Sequence, residues 1–204
     1  MILTLALISA AVVVLVAGIG VVYLGTVTGA LVLDTGWGRR LRPLGPLSVE
    51  IAADRDTVYA LLTQPYLGRA TRALADKVHV LERGADMVLA AHRTPVGGKL
   101  VAVTIETVRF SPGERIDFRL LRGPVPHVVE TFTLTDTEGG CRLEYDGELG
   151  TDFGAPGAWW GRVVARRWQA VVQATMTSVK AEAQRRQARD GKAGHNSPGS
   201  TQDL

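Results

Sequence analysis

The first 33 residues contain no Asp, Glu, Lys, Arg or His, and every charged side chain lies downstream. Within them Ile2–Leu24 reads ILTLALISAAVVVLVAGIGVVYL. About twenty apolar residues at roughly 1.5 Å each cross the roughly 30 Å hydrocarbon core of a bilayer. A helix satisfies its own backbone groups there, and the short hydroxyls of Thr4 and Ser9 can bond back to it. Residues 1–33 are therefore expected to form a transmembrane anchor. A cleaved secretory signal is the competing reading. Such signals normally open with a basic residue, and none occurs before Arg39, although Thr28-Gly29-Ala30 passes as a weak cleavage site. Arg39, Arg40 and Arg42 follow the segment closely. By the positive-inside rule they place the C-terminal side in the cytoplasm, giving a single-pass protein of the cell membrane.

The chain beyond this segment is long enough for one domain of ordinary size. Of the 204 residues 46% are hydrophobic and 21% charged, which excludes a wholly disordered chain. Cys141 is the single cysteine, so an intramolecular disulfide and a cysteine-built zinc site are excluded. A net charge of +3 is too small to argue for nucleic acid. The glycines, prolines and arginines of DTGWGRRLRPLGP make residues 34–46 a juxtamembrane linker. Residues 188–204, almost without apolar side chains and holding His195, read as a disordered tail. Residues 47–187 remain as the folded domain.

Its pattern is strand, short helices, many strands and one long helix. Leu47–Ala52 alternates as a strand does, and Asp54 caps a helix that should end ahead of Pro65. Tyr66–Ala75 reads as a second short helix. From Lys77 to Leu149, runs such as VHVLER, MVLAAHR, KLVAVTIETVRF, RIDFRLL, HVVETFTLT and CRLEYDGEL are separated by turn residues, the mark of an antiparallel meander. Ala158–Gln187 is helical. At 100° per residue it gathers Trp160, Val164, Trp168, Val171, Val172, Thr175 and Val179 on one face, and Arg162, Arg166, Gln169, Gln173 and Lys180 on the other.

This plan, carried by LSVEIAADRDTVYALLTQP at the start, ETFTLTDTEGGCRLEYDGEL in the last hairpin and the helix from Trp159, resembles the SRPBCC superfamily. That superfamily includes START-related lipid-transfer domains and polyketide cyclases. The resemblance implies an α+β helix-grip fold: a curved antiparallel sheet of about seven strands, two short helices and a long C-terminal helix. It also implies an apolar cavity between sheet and helix. The superfamily holds enzymes, carriers and sensors, so fold alone does not decide function.

Parity selects the side chains that would line such a cavity. Ile116, Phe118 and Leu120 point inward on one strand, Val128, Glu130, Phe132 and Leu134 on the next, and Leu143 and Tyr145 on the last. The ligand set is thus Phe118, Leu120, Glu130, Phe132 and Tyr145 from the sheet, with Val164, Trp168, Val171 and Thr175 from the helix. Glu130 is the one carboxylate that parity turns inward on these three strands. In apolar surroundings its pKa rises and it becomes a candidate acid or base, unless an arginine pairs with it or a bulge turns it out. His92 is the second catalytic candidate, its parity open between Met87-Leu89-Ala91 and Val88-Ala90-His92. His127 is placed at the rim and His79 outside. No histidine pair has a metal-ligand spacing, and neither a metal nor a cofactor is expected. Trp159, beside Arg162 and Arg166, suggests an interfacial contact.

Two functions compete, with a third reading beside them: a scaffold whose cavity is filled by side chains and whose polar surface binds a protein. One of the two is a membrane-tethered carrier or sensor of an apolar small molecule such as a lipid, isoprenoid or polyketide, with the membrane and that molecule as partners and nucleic acid excluded. The other is a cyclase- or dehydratase-type enzyme that uses the same cavity and one acid or base.

Overall fold

The computed structural model describes residues 2–68, 77–97 and 99–195. Helix α1 spans Ile2–Val27 and, at about 1.5 Å per residue, is long enough to cross a bilayer. No part of its apolar span is buried against the rest of the protein; only Val27, in its last turn, is.

Seven strands come next, β1 (Arg40–Ile51), β2 (Val78–Arg83), β3 (Met87–Gly97), β4 (Leu100–Ser111), β5 (Arg115–Arg122), β6 (His127–Thr137) and β7 (Gly140–Thr151). They make one antiparallel sheet in the order β1-β7-β6-β5-β4-β3-β2. Helix α2 (Arg55–Leu67) joins β1 to the meander, and α3 (Gly154–His195) closes it. The core lies between the inner sheet face and these two helices. The expected helix-grip plan is present.

Three boundaries differ from expectation. β1 begins at Arg40, inside the segment read as linker, and Arg40–Leu44 pair with β7. The prolines that suggested a linker are tolerated because β1 is an edge strand, where a missing N–H breaks no ladder on the open side. Leu44 is fully buried, and the register slips between Leu44 and Leu47, around Gly45-Pro46. Helix α2 runs through Pro65 to Leu67, because burial of Val58, Leu62 and Tyr66 holds its last turn against the core. Asp54 caps it as expected, accepting from Thr57 N at 2.7 Å. The second short helix expected over Tyr66–Ala75 lies mostly outside the described residues. Finally, α3 continues to His195, so the start of the expected tail is helical, propagated from the packed part of the helix.

Candidate functional site

Two buried carboxylates occupy the inner face of the sheet. β6 turns Val128, Glu130, Phe132 and Leu134 inward, and Glu130 is 7% exposed. The Tyr145 hydroxyl, from β7, donates to Glu130 Oε2 at 2.6 Å. Trp168 Nε1, from α3, donates to the same oxygen at 2.7 Å. With Oε2 taken by two donors, the acid proton belongs on Oε1. Gly147 stands opposite Glu130 across the β6–β7 ladder. A Cβ on Gly147 would come within 2.8 Å of the Glu130 Cβ and 2.6 Å of the Val129 carbonyl oxygen, so only glycine leaves the acid its place.

One strand beyond β5, Glu106 projects inward from β4 and is 4% exposed. His92 Nδ1, on β3, lies 2.9 Å from Glu106 Oε2, and its Nε2 lies 3.1 Å from the Tyr66 hydroxyl of α2. Aromatic rings link the two halves. Tyr66 packs against His92, Phe110 and Phe118, then Phe118 against Phe132, and Phe132 against Tyr145, with centroids 5.1–6.0 Å apart.

Burial, and then the charge of Glu106, push Glu130 from an ordinary 4.5 up to about 7, against the pull of its two hydrogen bonds and of His92. Burial disfavours a charged His92, but the charge and hydrogen bond of Glu106, with the charge of Glu130, outweigh it and His92 titrates above 6.5. Burial and the same carboxylates raise the phenols of Tyr66 and Tyr145, so both stay protonated and Tyr145 remains a donor to Glu130. A carboxyl that exchanges its proton near neutrality can hydrogen-bond a carbonyl or hydroxyl of a bound molecule, or move a proton to or from it.

Of the residues singled out from the sequence, Phe118, Leu120, Phe132, Tyr145 and Val164 are buried in the core and Trp168 is half-buried at Glu130. Among the described residues no arginine meets Glu130; a phenol and an indole donate to it instead. The parity of β3 resolves to Val88-Ala90-His92. His127 meets Glu148 at 2.9 Å and His79 is exposed. Val171 and Thr175 do not join the site. Val171 is 46% exposed, and the Thr175 hydroxyl turns back to the Val171 carbonyl at 3.0 Å. The inward line of α3 runs instead through Val164, Trp168, Val172 and Met176. Val171 precedes Val172 by about 100°, enough to move it off the contact face.

Glu106 and Tyr66 were not expected. In KLVAVTIETVRF the large aliphatics Val101, Val103 and Ile105 occupy the outer face, which obscures the phase. Val108 and Phe110, both buried, carry the inner phase back to Glu106. Two open grooves lie away from the cluster. One, of about 610 Å³, is lined by Arg55, Glu114, Arg115 and Asp136 among others; the second, of about 440 Å³, lies between β1 and α3.

A meander sheet gripped by one long helix over a buried polar cluster defines a ligand-binding protein of the helix-grip, SRPBCC class. Residues 47–184 match the family described as polyketide cyclase / dehydrase and lipid transport, and the chain belongs to it. The match leaves out α1 and the residues that join it to the domain. Among solved structures, the Zhui aromatase/cyclase of Streptomyces sp. R1128 superposes with a TM-score of 0.54 at 19% identity, over 72% of this chain and 95% of that one. The di-domain ARO/CYC BexL of the BE-7585A biosynthetic pathway gives 0.57 at 17% identity, over 72% of this chain and 50% of that one, so the chain spans about half of that protein's length. Norcoclaurine synthase of Thalictrum flavum, a point mutant in complex with a transition-state analogue, gives 0.53 at 14% identity, over 73% of this chain and 96% of that one. At these identities the likeness is one of fold. No curated protein matches the chain.

Proposed function

We propose that this protein is a membrane-tethered binding protein for an apolar small molecule, lipid-, isoprenoid- or polyketide-like, held between the sheet and α3 with its polar group on Glu130. The observation that carries this reading is a buried carboxyl set among aromatic rings, one oxygen filled by two donors and the other without a hydrogen-bond partner among the described residues. Helix α1 supports the tether, and Arg39, Arg40 and Arg42 favour a cytoplasmic domain. His92 and Trp168 are partly exposed members of the cluster, and both open grooves lie elsewhere.

Mass spectrometry of a solvent extract of the purified full chain tests this. An apolar compound should co-purify near stoichiometry and be depleted in Glu130→Leu, whose far-UV spectrum should match the wild type. A folded protein with an empty extract overturns the reading. Digestion of a C-terminal tag by protease added to intact cells would overturn the cytoplasmic placement.

The second reading, a cyclase- or dehydratase-type enzyme, is favoured by one observation: Glu130 is a buried carboxyl on the same inner sheet face as the His92–Glu106 pair, and burial and the Glu106 charge raise its pKa. If the protein is an enzyme, Glu130→Gln keeps ligand affinity and lowers turnover roughly 10²-fold or more. If it is a carrier, the same change alters affinity alone.

A further inference from the structure

The chain between α1 and β1 is strapped to one end of the sheet. The Thr28 carbonyl accepts from Val103 N at 3.1 Å. Arg122 donates through Nε to the Gly29 carbonyl at 2.8 Å and through Nη2 to the Ala30 carbonyl at 3.1 Å. Gly29 has φ +73°, and a Cβ on it would fall 2.2 Å from the Val103 carbonyl oxygen. Tyr23, near the end of α1, meets Trp160 edge to face at 6.1 Å. Further along, the Asp152 carboxylate accepts from Thr35 N and Gly36 N, both at 2.7 Å, and pairs with Arg39 at 2.7 Å. Arg39 also bridges to Asp34.

At this end of the domain large apolar side chains stand in the open: Trp37, Trp159, Leu121, Leu100, Phe153 and Leu33. Trp37 and Phe153 meet edge to face at 6.3 Å. Beside them runs the groove between β1 and α3, lined by Arg42, Arg162, Arg166 and Gln169 with no acidic side chain. Exposed apolar clusters on a domain mark a contact surface. Tryptophan favours the boundary between headgroups and acyl chains, and arginine favours anionic headgroups. The apolar α1 leaves from this same end.

We infer that this end is an interfacial docking surface that lies on the bilayer, its occupant an anionic phospholipid surface. The inference rests on the anchor reading of α1. The strap then fixes the domain's height and orientation, with the aromatic rim at the acyl boundary and the arginine groove at the phosphates.

The test uses the full chain in phosphatidylcholine/phosphatidylglycerol vesicles whose acyl chains carry bromine, a contact quencher of tryptophan. Wild-type emission should fall. In W37F/W159F, which changes exposed residues only, the fraction quenched by lipid should drop at least about two-fold, with the fraction quenched by aqueous iodide unchanged. Replacing Arg42, Arg162 and Arg166 by Gln should lessen lipid quenching in vesicles containing phosphatidylglycerol and not in phosphatidylcholine alone. If Trp37 and Trp159 account for the iodide-quenched fraction and none of the lipid-quenched one, the docking surface is overturned. Flotation after an alkaline wash separates the two claims. A chain that does not float loses both anchor and docking surface, and one that floats with Trp37 and Trp159 in water loses the docking surface alone.

Discussion

Glu130 and Tyr145 meet on the inner face of the sheet, the phenol donating to Oε2 at 2.6 Å while Trp168 reaches the same oxygen from the helix above. Both donors favour the carboxylate, yet burial and the neighbouring Glu106 charge keep the acid protonated up to about pH 7. The position of that balance is measurable.

Folding keeps on Glu130 a proton that the unfolded chain gives up near pH 4.5. Stability should therefore fall as pH climbs from about 4.5 to about 7 and level off above, by about 3 kcal/mol in all at 1.4 kcal/mol per pH unit. Denaturant unfolding in detergent at pH 5 and pH 8 should show the drop in the wild type and a much smaller one in Glu130→Gln. Equal slopes in the two proteins would mean that Glu130 titrates normally.

Neighbouring substitutions should move the Glu130 midpoint in opposite directions. Glu106→Gln removes a like charge and lowers it. Tyr145→Phe removes a donor to the carboxylate and raises it. Each displacement should be about one pH unit or more, read from the carboxyl carbon resonance. Movement in the same direction would contradict the geometry.

Gly147→Ala should destabilise the fold by about 1–3 kcal/mol, because the new methyl presses on the backbone and Cβ of Glu130 with no flexible atom to yield. The same change should break the Tyr145–Glu130 contact, seen as a shift in the tyrosine hydroxyl resonance. An unperturbed variant would show that the two strands stand further apart.

Asp152 is held well below the usual carboxylate range, first by its hydrogen bond with Arg39 and then by the Thr35 and Gly36 amides. Its contribution is present above about pH 4, the ordinary value for an aspartate, and is lost as the pH drops further. Hydrogen exchange over residues 28–39 should therefore quicken on strong acidification before the β5–β6 amides respond. Asp152→Asn should quicken it at neutral pH. Uniform exchange across strap and sheet would dissociate Asp152 from the strap.

How much of the site is legible in the sequence depends on contrast between faces. On β5 and β7 one face is apolar and the other mostly charged, so parity places Phe118 and Tyr145 inward; on β6 the outer face is mostly threonine, and Phe132 and Leu134 set the phase that carries Glu130 inward. On β4 both faces are apolar through Ile105, which hides Glu106 although it tunes Glu130. Tyr66 is hidden because Pro65 suggests that the helix stops before it. The start of β1 is obscured by Pro43 and Pro46, whose acceptability depends on the strand lying at an edge, a fact of topology. Val171 is misplaced because hydropathy marks a broad stripe on a helix, and only packing picks its centre line.

The β1–β7 ladder has a bearing on the order of assembly. All other strand pairs are neighbours in sequence, so the sheet can grow hairpin by hairpin from β2 to β7. β1 joins through partners 92 residues apart at Glu50–Arg142, and just before its start Arg39 meets Asp152, 113 residues on. Closing so large a loop is entropically dear and kinetically slow. Glu130, Tyr145 and Glu106 belong to the local meander and can gather before that closure, whereas the strap can form only with it. Pulse-labelled refolding should find the amides of β1 protected last. During synthesis β1, made before the other six strands, would then be the last of them to settle into the sheet.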